Sequence, residues 1–182
     1  MRFFETPLEG AWIIEEEPVV DERGRFARTL CMREYAVRKL EVCFVQHSTS
    51  HSRLKGTLRG MHFQRGVHAE VKIVKCLRGA IWDVVVDLRP GSPTFCQSFG
   101  LELSRANSRQ LDIPRGLAHG FLTLTGDAGV QYLISNFYDS KSSSGFSYED
   151  PAFGIQWPFS PAVVSDRDRS WPRFEVVGGG ER

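Results

Sequence analysis

The feature of this chain that most constrains its fold is a long series of short β-rich segments separated by turn residues. The sequence predicts six strands in its central part, at residues 71–77, 81–88, 95–103, 109–113, 120–124 and 129–137. Glycine and proline at residues 78–79 and 89–93 break the series. Residues 32–40 predict a helix, through an apolar stripe of Tyr35, Val37 and Leu40. Many strands with so little helix indicate an all-β sandwich or jelly roll.

Length and charge are those of one globular domain with no general affinity for polyanions. A chain of 182 residues can bury a single large core, and all-β domains often reach this size undivided. We therefore expect one domain over residues 1–182, with a frayed tail at residues 178–182. Because 23 basic residues balance 22 acidic ones, no net field favours nucleic acid or a membrane surface. An anionic ligand would have to be held by local arginines.

The cysteines and the hydropathy pattern indicate an intracellular protein. Four cysteines form no CxxC pair and no zinc-ligand spacing, which is typical of buried thiols in a reducing compartment. Neither a signal peptide nor a run of 18 apolar residues is expected from the sequence. These patterns predict a cytoplasmic location.

Two histidine motifs lie in the β-rich sequence, at residues 59–64 (RGMHFQ) and 114–121 (PRGLAHGF). Each motif resembles one half of a cupin, a small β-barrel in which such a motif sends a histidine into the barrel mouth. The resemblance implies an all-β cupin jelly roll, or double-stranded β-helix, with minor short helices. It also implies that His62 and His119 both point into that mouth.

The residues around His62 favour acid/base chemistry over metal binding. A metal-binding cupin usually has a second histidine two residues after the first, because a divalent ion needs three or four protein ligands. This chain has Gln64 at that position. Glu70 could complete a set with His62 and His119, so a metal-dependent cupin oxygenase stays an alternative. Neutral imidazoles without a metal are free to move protons, and we predict no metal site.

Further segments in family order extend the resemblance over residues 18–172. The chain resembles the dTDP-4-dehydrorhamnose 3,5-epimerases, cupin-fold enzymes of deoxysugar-nucleotide biosynthesis. The matching segments are residues 21–24, 44–46, 58–64, 84–89, 91–94, 114–121, 150–152, 154–155, 157–158 and 165–168. The resemblance implies epimerisation at C3, C5 or both of a nucleotide-linked 4-keto-6-deoxy sugar, without metal or cofactor. Such a reaction needs a base, an acid on the opposite face and a group that stabilises the enolate.

Four residues match the catalytic positions of this family. The resemblance implies that His62 is the base, and a histidine's ordinary pKa of about 6.5 suits proton acceptance near neutrality. It implies that Asp168 orients the imidazole and that Tyr132 donates the returning proton. Lys72 is implied to stabilise the developing enolate.

Each of these residues also has a structural interpretation that the sequence leaves open. His62 could be a buried histidine bonded to a backbone carbonyl, and Tyr132 could pack across a strand pair. Asp166 competes with Asp168, because either carboxylate in this polar segment could be solvated. Lys72 alternates with apolar neighbours, and an inward lysine is costly unless it is paired or functional. We expect the stabilising role rather than a solvated surface charge.

Substrate binding is expected to depend on arginines, because guanidinium groups bind diphosphate oxygens bidentately. Surface salt bridges are the alternative for each arginine. The resemblance implies that Tyr138 stacks on the nucleotide base. It also implies a homodimer in which the segment around Arg23 reaches the neighbouring site. The implied substrate-binding residues are Arg23, Arg28, Gln46, Ser48, Arg59, Lys72, His119, Tyr138 and Arg167.

Departures from the family pattern concentrate among the nucleotide and sugar contacts. They are Val19 and Val20 near a usual phenylalanine, Arg28 for glutamate, Ser48 for asparagine, Leu133 and Arg167 for lysines, and Ser142, Ser143 and Ser144 at an acidic position. These changes predict weaker selectivity for thymine, because a cation such as Arg28 can only donate hydrogen bonds. A single-position epimerase acting on another sugar nucleotide stays an alternative, as does a non-catalytic sugar-nucleotide binding module.

Overall fold

The computed structural model describes residues 1–174, which form a barrel of two facing β-sheets. The tail expected at residues 178–182 lies outside the described residues. Two α-helices, α1 (Met32–Val37) and α2 (Asp166–Ser170), accompany the strands in the described part. The strands are β1 (Arg2–Glu5), β2 (Trp12–Glu15), β3 (Val19–Asp21), β4 (Gly24–Phe26), β5 (Gln46–Ser52), β6 (Thr57–Gln64), β7 (Lys72–Arg78), β8 (Ala80–Asp87), β9 (Ser98–Ser104), β10 (Arg109–Ile113), β11 (Leu117–Thr123), β12 (Ala128–Ile134), β13 (Ser143–Gly145) and β14 (Val163–Val164).

The two main sheets have six strands each. Sheet I has the strand order β1-β2-β10-β7-β12-β5. Sheet II has the order β13-β6-β11-β8-β9, with β14 pairing beside β6 in parallel. The strands β3 and β4 form a separate two-stranded hairpin. The all-β jelly roll with minor short helices that the sequence predicts is therefore confirmed.

The main core lies between the inner faces of the two sheets. Strand alternation turns Val74 of sheet I towards Val85 and Phe121 of sheet II, and each is at most 1% exposed. Full burial of one such side chain stabilises the fold by about 1.5–3 kcal/mol. The polar positions that share these inner faces must therefore be paired or must open into a cavity.

Each sheet is also covered on its outer face. Helix α1 lies on sheet I, where Tyr35 packs with Ile14 and Ile73. Chain beyond β13 covers sheet II, where Phe146 and Phe153 stack with ring centroids 4.4 Å apart. Both sheets are thereby held from two sides, which makes the inner cavity walls rigid.

The six predicted strands are all present, as β7 to β12, but several ends differ from the prediction. Cys96 has a φ angle of 64°, so the third predicted strand begins at Ser98 rather than at residue 95. The last one ends at Ile134 rather than at residue 137. The predicted helix ends at Val37 rather than at residue 40, because Lys39 takes a φ angle of 59°.

The cysteines are free thiols, as the sequence predicts, but their burial differs from the prediction. Cys76 is buried, whereas Cys31 and Cys96 are half-buried and Cys43 is exposed. The expectation of four buried thiols is therefore wrong for three of them. Among residues 1–174, no helix is both long enough and apolar enough to cross a bilayer.

Two glycines let the two histidine-bearing strands approach each other closely. In the β6–β11 pair His62 lies opposite His119, and the register then shifts before Phe121. A Cβ atom added to Gly60 would lie 2.6 Å from the Cα of Gly120. Gly60 also has a φ angle of +146°, which L side chains rarely adopt. This close approach places both imidazoles on the cavity side of sheet II.

Candidate active site

Two adjoining cavities of about 370 and 190 Å³ open between the sheets. We call them the larger and the smaller cavity. Both are bordered by His62, Lys72, Ile134 and Arg167, so they form one continuous site. The larger cavity is also lined by Ser50, Arg59, His119, Phe121, Tyr132, Ser165 and Asp168. The smaller cavity is also lined by Gln46, Phe63, Gln64, Glu70, Tyr138 and Ser143.

A histidine–carboxylate pair stands on the sheet II side of the larger cavity. His62 Nε2 lies 2.6 Å from Asp168 Oδ1, and the side chains are 38% and 6% exposed. Ser165 is the N-cap of α2, and its hydroxyl accepts a hydrogen bond from the Asp168 backbone N–H, which fixes Asp168 on the first turn. Asp166 is exposed, and of the two acids it is Asp168 that contacts His62. No described residue bonds Nδ1 of His62, which leaves that nitrogen for the cavity.

Asp168 is held ionised. Burial alone would raise the pKa of Asp168. Hydrogen bonds with His62, with the Gly60 backbone N–H and with the Ser165 side chain hold that pKa below its ordinary value. An ionised carboxylate on one ring nitrogen fixes the tautomer of the imidazole and stabilises the imidazolium formed after proton uptake. The pair can therefore act as an oriented base.

Tyr132 projects from the facing sheet. Its hydroxyl lies 3.0 Å from Ser50 Oγ, and its ring meets the His119 ring edge-on with centroids 6.3 Å apart. Burial raises the pKa of Tyr132 to about 12. The phenol therefore keeps its proton at neutral pH and can donate it. Tyr132 stands on β12 of sheet I and His62 on β6 of sheet II, so base and acid candidates lie on opposite walls.

Lys72 points into the site, as predicted, and it is paired. Its Nζ lies 2.8 Å from Glu70 Oε1, and the two side chains are 16% and 5% exposed. Gln64 Nε2 donates to the other carboxylate oxygen at 2.8 Å. This arrangement offsets the cost of an inward charge and aims the ammonium group at both cavities.

The residues of the metal alternative are each engaged elsewhere. His62 is bonded to Asp168, and Glu70 is bonded to Lys72 and Gln64, as described above. His119 Nε2 lies 2.8 Å from Asp83 Oδ1. Within residues 1–174 no group of three or more His, Cys, Asp or Glu side chains is arranged to hold a metal ion. The donor set of a cupin oxygenase does not converge here.

Asp83 is a site residue that the sequence interpretation missed. It is fully buried on β8, and burial raises its pKa, although His119 opposes that shift. Oδ1 of Asp83 bonds His119 and thereby fixes the imidazole in the wall of the larger cavity. The sequence does carry a signal, since Asp83 interrupts the apolar run IWDVVV of a strand that is buried on both faces.

Two arginines reach the site without a carboxylate partner in the described chain. Arg59 donates weakly to Ser52 Oγ and to the His51 carbonyl, both at 3.3 Å. Arg167 donates to Ser143 Oγ at 2.9 Å, and its guanidinium carbon lies 5.3 Å from the Trp171 ring centre. Both guanidinium groups keep donors free for an anionic ligand.

The smaller cavity has an aromatic ring at its edge. Tyr138 is 60% exposed, and its backbone N–H donates to Gln46 Oε1 at 2.7 Å. Ser48 lies opposite Tyr132 in the β5–β12 pair, but it is exposed and lines neither cavity. Of the predicted binding residues on β5, the structure therefore brings Gln46 to the site and leaves Ser48 outside its walls.

Arg23 and Arg28 lie outside both cavities of their own chain. Arg23 is 85% exposed at the tip of the β3–β4 hairpin, where it pairs with Asp21 at 2.5 Å. Arg28 is 63% exposed and lies 3.4 Å from Glu34. Both belong to residues 16–29, which we call the N-terminal arm. The arm runs along the outer face of sheet I, so within one chain these two predicted contacts are not made.

The fold and the site define the class of protein first: a jelly-roll isomerase with acid/base groups on both walls of its cavity. The protein-family model for dTDP-4-dehydrorhamnose 3,5-epimerase matches residues 5–176. The chain belongs to this family.

Individual members of the family match this chain in sequence and structure over nearly its whole length. A dTDP-4-dehydrorhamnose 3,5-epimerase from Salmonella typhimurium is 44% identical over 179 residues, covering 96% of each chain. The crystal structure of such an epimerase from Elizabethkingia anophelis superposes with a TM-score of 0.92 at 40% identity, covering 96% of each chain. An epimerase from Legionella pneumophila in complex with dTDP-4-keto-L-rhamnose gives a TM-score of 0.87 at 35% identity, covering 96% of this chain and 99% of that one.

Proposed function

We propose that the protein inverts C3 and C5 of a dTDP-linked 4-keto-6-deoxy sugar, of the type that yields dTDP-4-dehydrorhamnose. The observation that carries the proposal is the 2.6 Å His62–Asp168 pair on one wall of the cavity, with the protonated Tyr132 on the facing wall. Inversion requires removal and return of a proton on opposite faces of a carbon. Base and acid on opposite sheets provide that arrangement.

The first step is proton abstraction by His62. The C4 ketone acidifies the protons at C3 and C5, and the imidazole of His62 accepts one of them. Asp168 bonds the other ring nitrogen and stabilises the resulting imidazolium. General base catalysis of this kind contributes about 10²–10⁴-fold to the rate.

Lys72 stabilises the charge that develops on the ketone oxygen. Its ammonium group borders both cavities and is held at a fixed position by Glu70. A preorganised cation in a half-buried cavity stabilises an enolate more than water does, because no solvent has to reorganise. His119, fixed by Asp83, supplies a further polar contact in the larger cavity.

Tyr132 then returns a proton from the other wall. Burial keeps the phenol protonated at neutral pH, and Ser50 orients its hydroxyl. Because Tyr132 and His62 stand on facing sheets, protonation occurs on the face opposite to abstraction. The stereochemical outcome is inversion.

The nucleotide is held by the arginines and by Tyr138. Arg59 and Arg167 border the larger cavity with free donors and bind the diphosphate. The exposed ring of Tyr138 lies at the outer end of the smaller cavity, where a nucleobase can stack on it. Gln46 beside it offers hydrogen bonds to the base or the sugar.

The functional unit is a homodimer in which the N-terminal arm of one subunit completes the site of the other. The arm exposes apolar side chains that no residue of the described chain, 1–174, covers, with Val19, Val20 and Phe26 at 67%, 72% and 77% exposure. An isolated two-stranded hairpin is marginally stable in water, so a second copy is the partner that this surface fits. Arg23 at the hairpin tip would then reach the neighbouring nucleotide.

The free thiols and the nucleotide-sugar substrate support a cytoplasmic location.

Proton exchange in deuterated water tests the proposed reaction. We expect NMR of dTDP-4-keto-6-deoxyglucose incubated with the protein to show deuterium at C3 and C5 and formation of the inverted sugar. Exchange at C3 alone would identify a single-position epimerase, and absence of exchange from protein that binds dTDP would contradict the proposal. Activity that is lost with a chelator and restored by a metal would favour the oxygenase alternative instead.

A further inference from the structure

Contacts at both ends fasten the N-terminal arm to sheet I. At its beginning, the carboxylate of Glu16 is only 4% exposed and accepts hydrogen bonds from Lys75 of β7 and from Arg25 at 2.6 Å. At its end, the Thr29 carbonyl accepts a hydrogen bond from Gln110 of β10 at 2.9 Å. The hairpin between these ends is exposed.

The anchor consists of a buried ion pair, Glu16 and Lys75, to which the partly exposed Arg25 adds further bonds. Lys75 and Glu16 side chains are 10% and 4% exposed, and Arg25 donates a further hydrogen bond to Ser108 Oγ at 2.9 Å. Buried charges are costly to desolvate unless they are paired, and Glu16 and Lys75 are paired with each other. The base of the arm is therefore rigid, whereas exposed salt bridges hold their partners loosely.

Strand β7 connects this anchor to the active site. Lys72 and Lys75 are three residues apart on the strand, so their side chains leave opposite faces of sheet I. Lys72 points into the cavity of its own chain, and Lys75 holds the arm on the outside.

We infer that Arg25 and Lys75 are positioning residues for the nucleotide site of the neighbouring subunit. They fix the direction in which the arm leaves sheet I, and thereby the place of Arg23 in the partner's cavity. This inference rests on the proposed dimeric epimerase. It assigns a role to a charge cluster that touches no substrate.

The variant Arg25→Met tests the inference with little risk to the fold. It leaves the Glu16–Lys75 pair intact, and the Arg25 side chain that it replaces is 34% exposed. We expect KM for the sugar nucleotide and Kd for dTDP to rise about tenfold, with kcat within about twofold of wild type. Arg25→Lys should restore part of the affinity. The matched control is Arg109→Met, which removes the 3.0 Å bond from Arg109 to Glu15 outside the arm. Equal effects of the two methionine variants, or no effect of Arg25→Met, would overturn the inference.

A mixed dimer separates action across the interface from action within one chain. In a hybrid dimer, one subunit carries Arg25→Met and the other carries His62→Ala. The one site that keeps His62 belongs to the Arg25→Met subunit, and it receives an arm with an intact Arg25 from the His62→Ala subunit. We expect that hybrid to show the wild-type KM. The raised KM of Arg25→Met in the hybrid, or a monomeric wild-type protein by ultracentrifugation, would overturn the inference. Calorimetric dTDP binding needs no turnover, so a wild type that binds dTDP without epimerising the sugar would contradict the proposed function alone.

Discussion

At the scale of single residues, the chemistry depends on which nitrogen of His62 is free. Asp168 occupies Nε2, and it is almost completely buried, so water does not compete for that bond. The carboxylate stays ionised because its pKa is held below the ordinary value despite burial. The imidazole is thus oriented before the substrate arrives, which removes a reorganisation cost from the proton transfer.

Replacement of His62, the proposed base, should strongly slow proton exchange without abolishing nucleotide binding. We expect His62→Ala to lower deuterium exchange at C3 and C5 by about 10²–10⁴-fold, the usual contribution of a general base. Kd for dTDP should change little, because His62 acts mainly in the transition state. His47→Ala on β5 is the control, since that histidine is exposed and lies outside both cavities. Exchange near the wild-type rate in His62→Ala would show that another group is the base.

Removal of the Tyr132 hydroxyl should separate the two halves of the reaction. In Tyr132→Phe we expect solvent exchange to continue while net inversion falls by about 10²-fold or more, because only the donor is lost. NMR that measures deuterium uptake and product formation in one sample distinguishes the two. Tyr148→Phe is the control, because Tyr148 packs beside the outer core of sheet II. Unchanged inversion in Tyr132→Phe would mean that the ring serves packing.

At the scale of elements, the distance between β6 and β11 depends on glycine. In Gly60→Ala the new Cβ would lie 2.6 Å from Gly120 Cα, and backbone atoms cannot swing aside as a side chain can. We expect a loss of about 2 kcal/mol or more in the free energy of unfolding, measured in urea, together with loss of activity. Gly91 also has a positive φ angle, +82°, but a Cβ added there would meet nothing within 4 Å, so Gly91→Ala should cost only about 1 kcal/mol. Equal losses in both variants would refute the steric explanation.

Strands were predictable from sequence where their burial is simple. Strand β8 is nearly a continuous apolar run, β7 carries apolar pairs between its charged residues, and the breaks at Gly79 and residues 89–93 isolate both. The polar strand β5 is not predicted, because it reads QHSTSHS and carries no apolar side chain. That strand is stabilised by pairing with β12 rather than by its own propensity.

Site residues were predictable where one motif supplies them, and less so where tertiary contacts do. The pairing of His62 with Asp168 joins residues 106 positions apart, and it followed from the family resemblance rather than from any local pattern. Asp83 was missed because a buried acid on a strand gives no local signal of its partner. The family resemblance predicts Arg28 as a binding residue, but within one chain Arg28 pairs with Glu34 on α1.

At the scale of the whole molecule, the buried acid Asp112 makes its own contribution to the pH dependence of stability. Asp112 is 1% exposed, its Oδ2 has no partner in the described chain, and the nearby Tyr35 hydroxyl has none either. Burial, with a smaller effect from Glu41, raises the pKa of Asp112 to about 7. The folded state therefore holds this proton more tightly than the unfolded chain does.

The sign of that shift gives a prediction for Asp112→Asn. The raised pKa of about 7 means that this group's contribution to stability is complete below its ordinary value of 3.8 and is lost as the pH rises through 7. The asparagine variant has no such loss, so it should be more stable than wild type at pH 8, by about 1–4 kcal/mol. The difference between the two proteins in the free energy of unfolding, measured in urea, should shrink towards pH 4. The exposed Asp166→Asn should show no such trend, and a pH-independent difference for Asp112→Asn would contradict the assignment.

Trp171, the residue after α2, should report ligand binding through its intrinsic fluorescence. Trp171 lies with its ring centre 6.4 Å from that of His62 and 5.3 Å from the Arg167 guanidinium carbon, and its Nε1 is buried. Indole emission responds to neighbouring cations and to hydration, and both change when an anion binds Arg167. Titration with dTDP should therefore shift the intrinsic fluorescence. Trp171→Phe, which keeps the other three of the four tryptophans, should give a silent titration, so the enzyme carries its own optical indicator of occupancy.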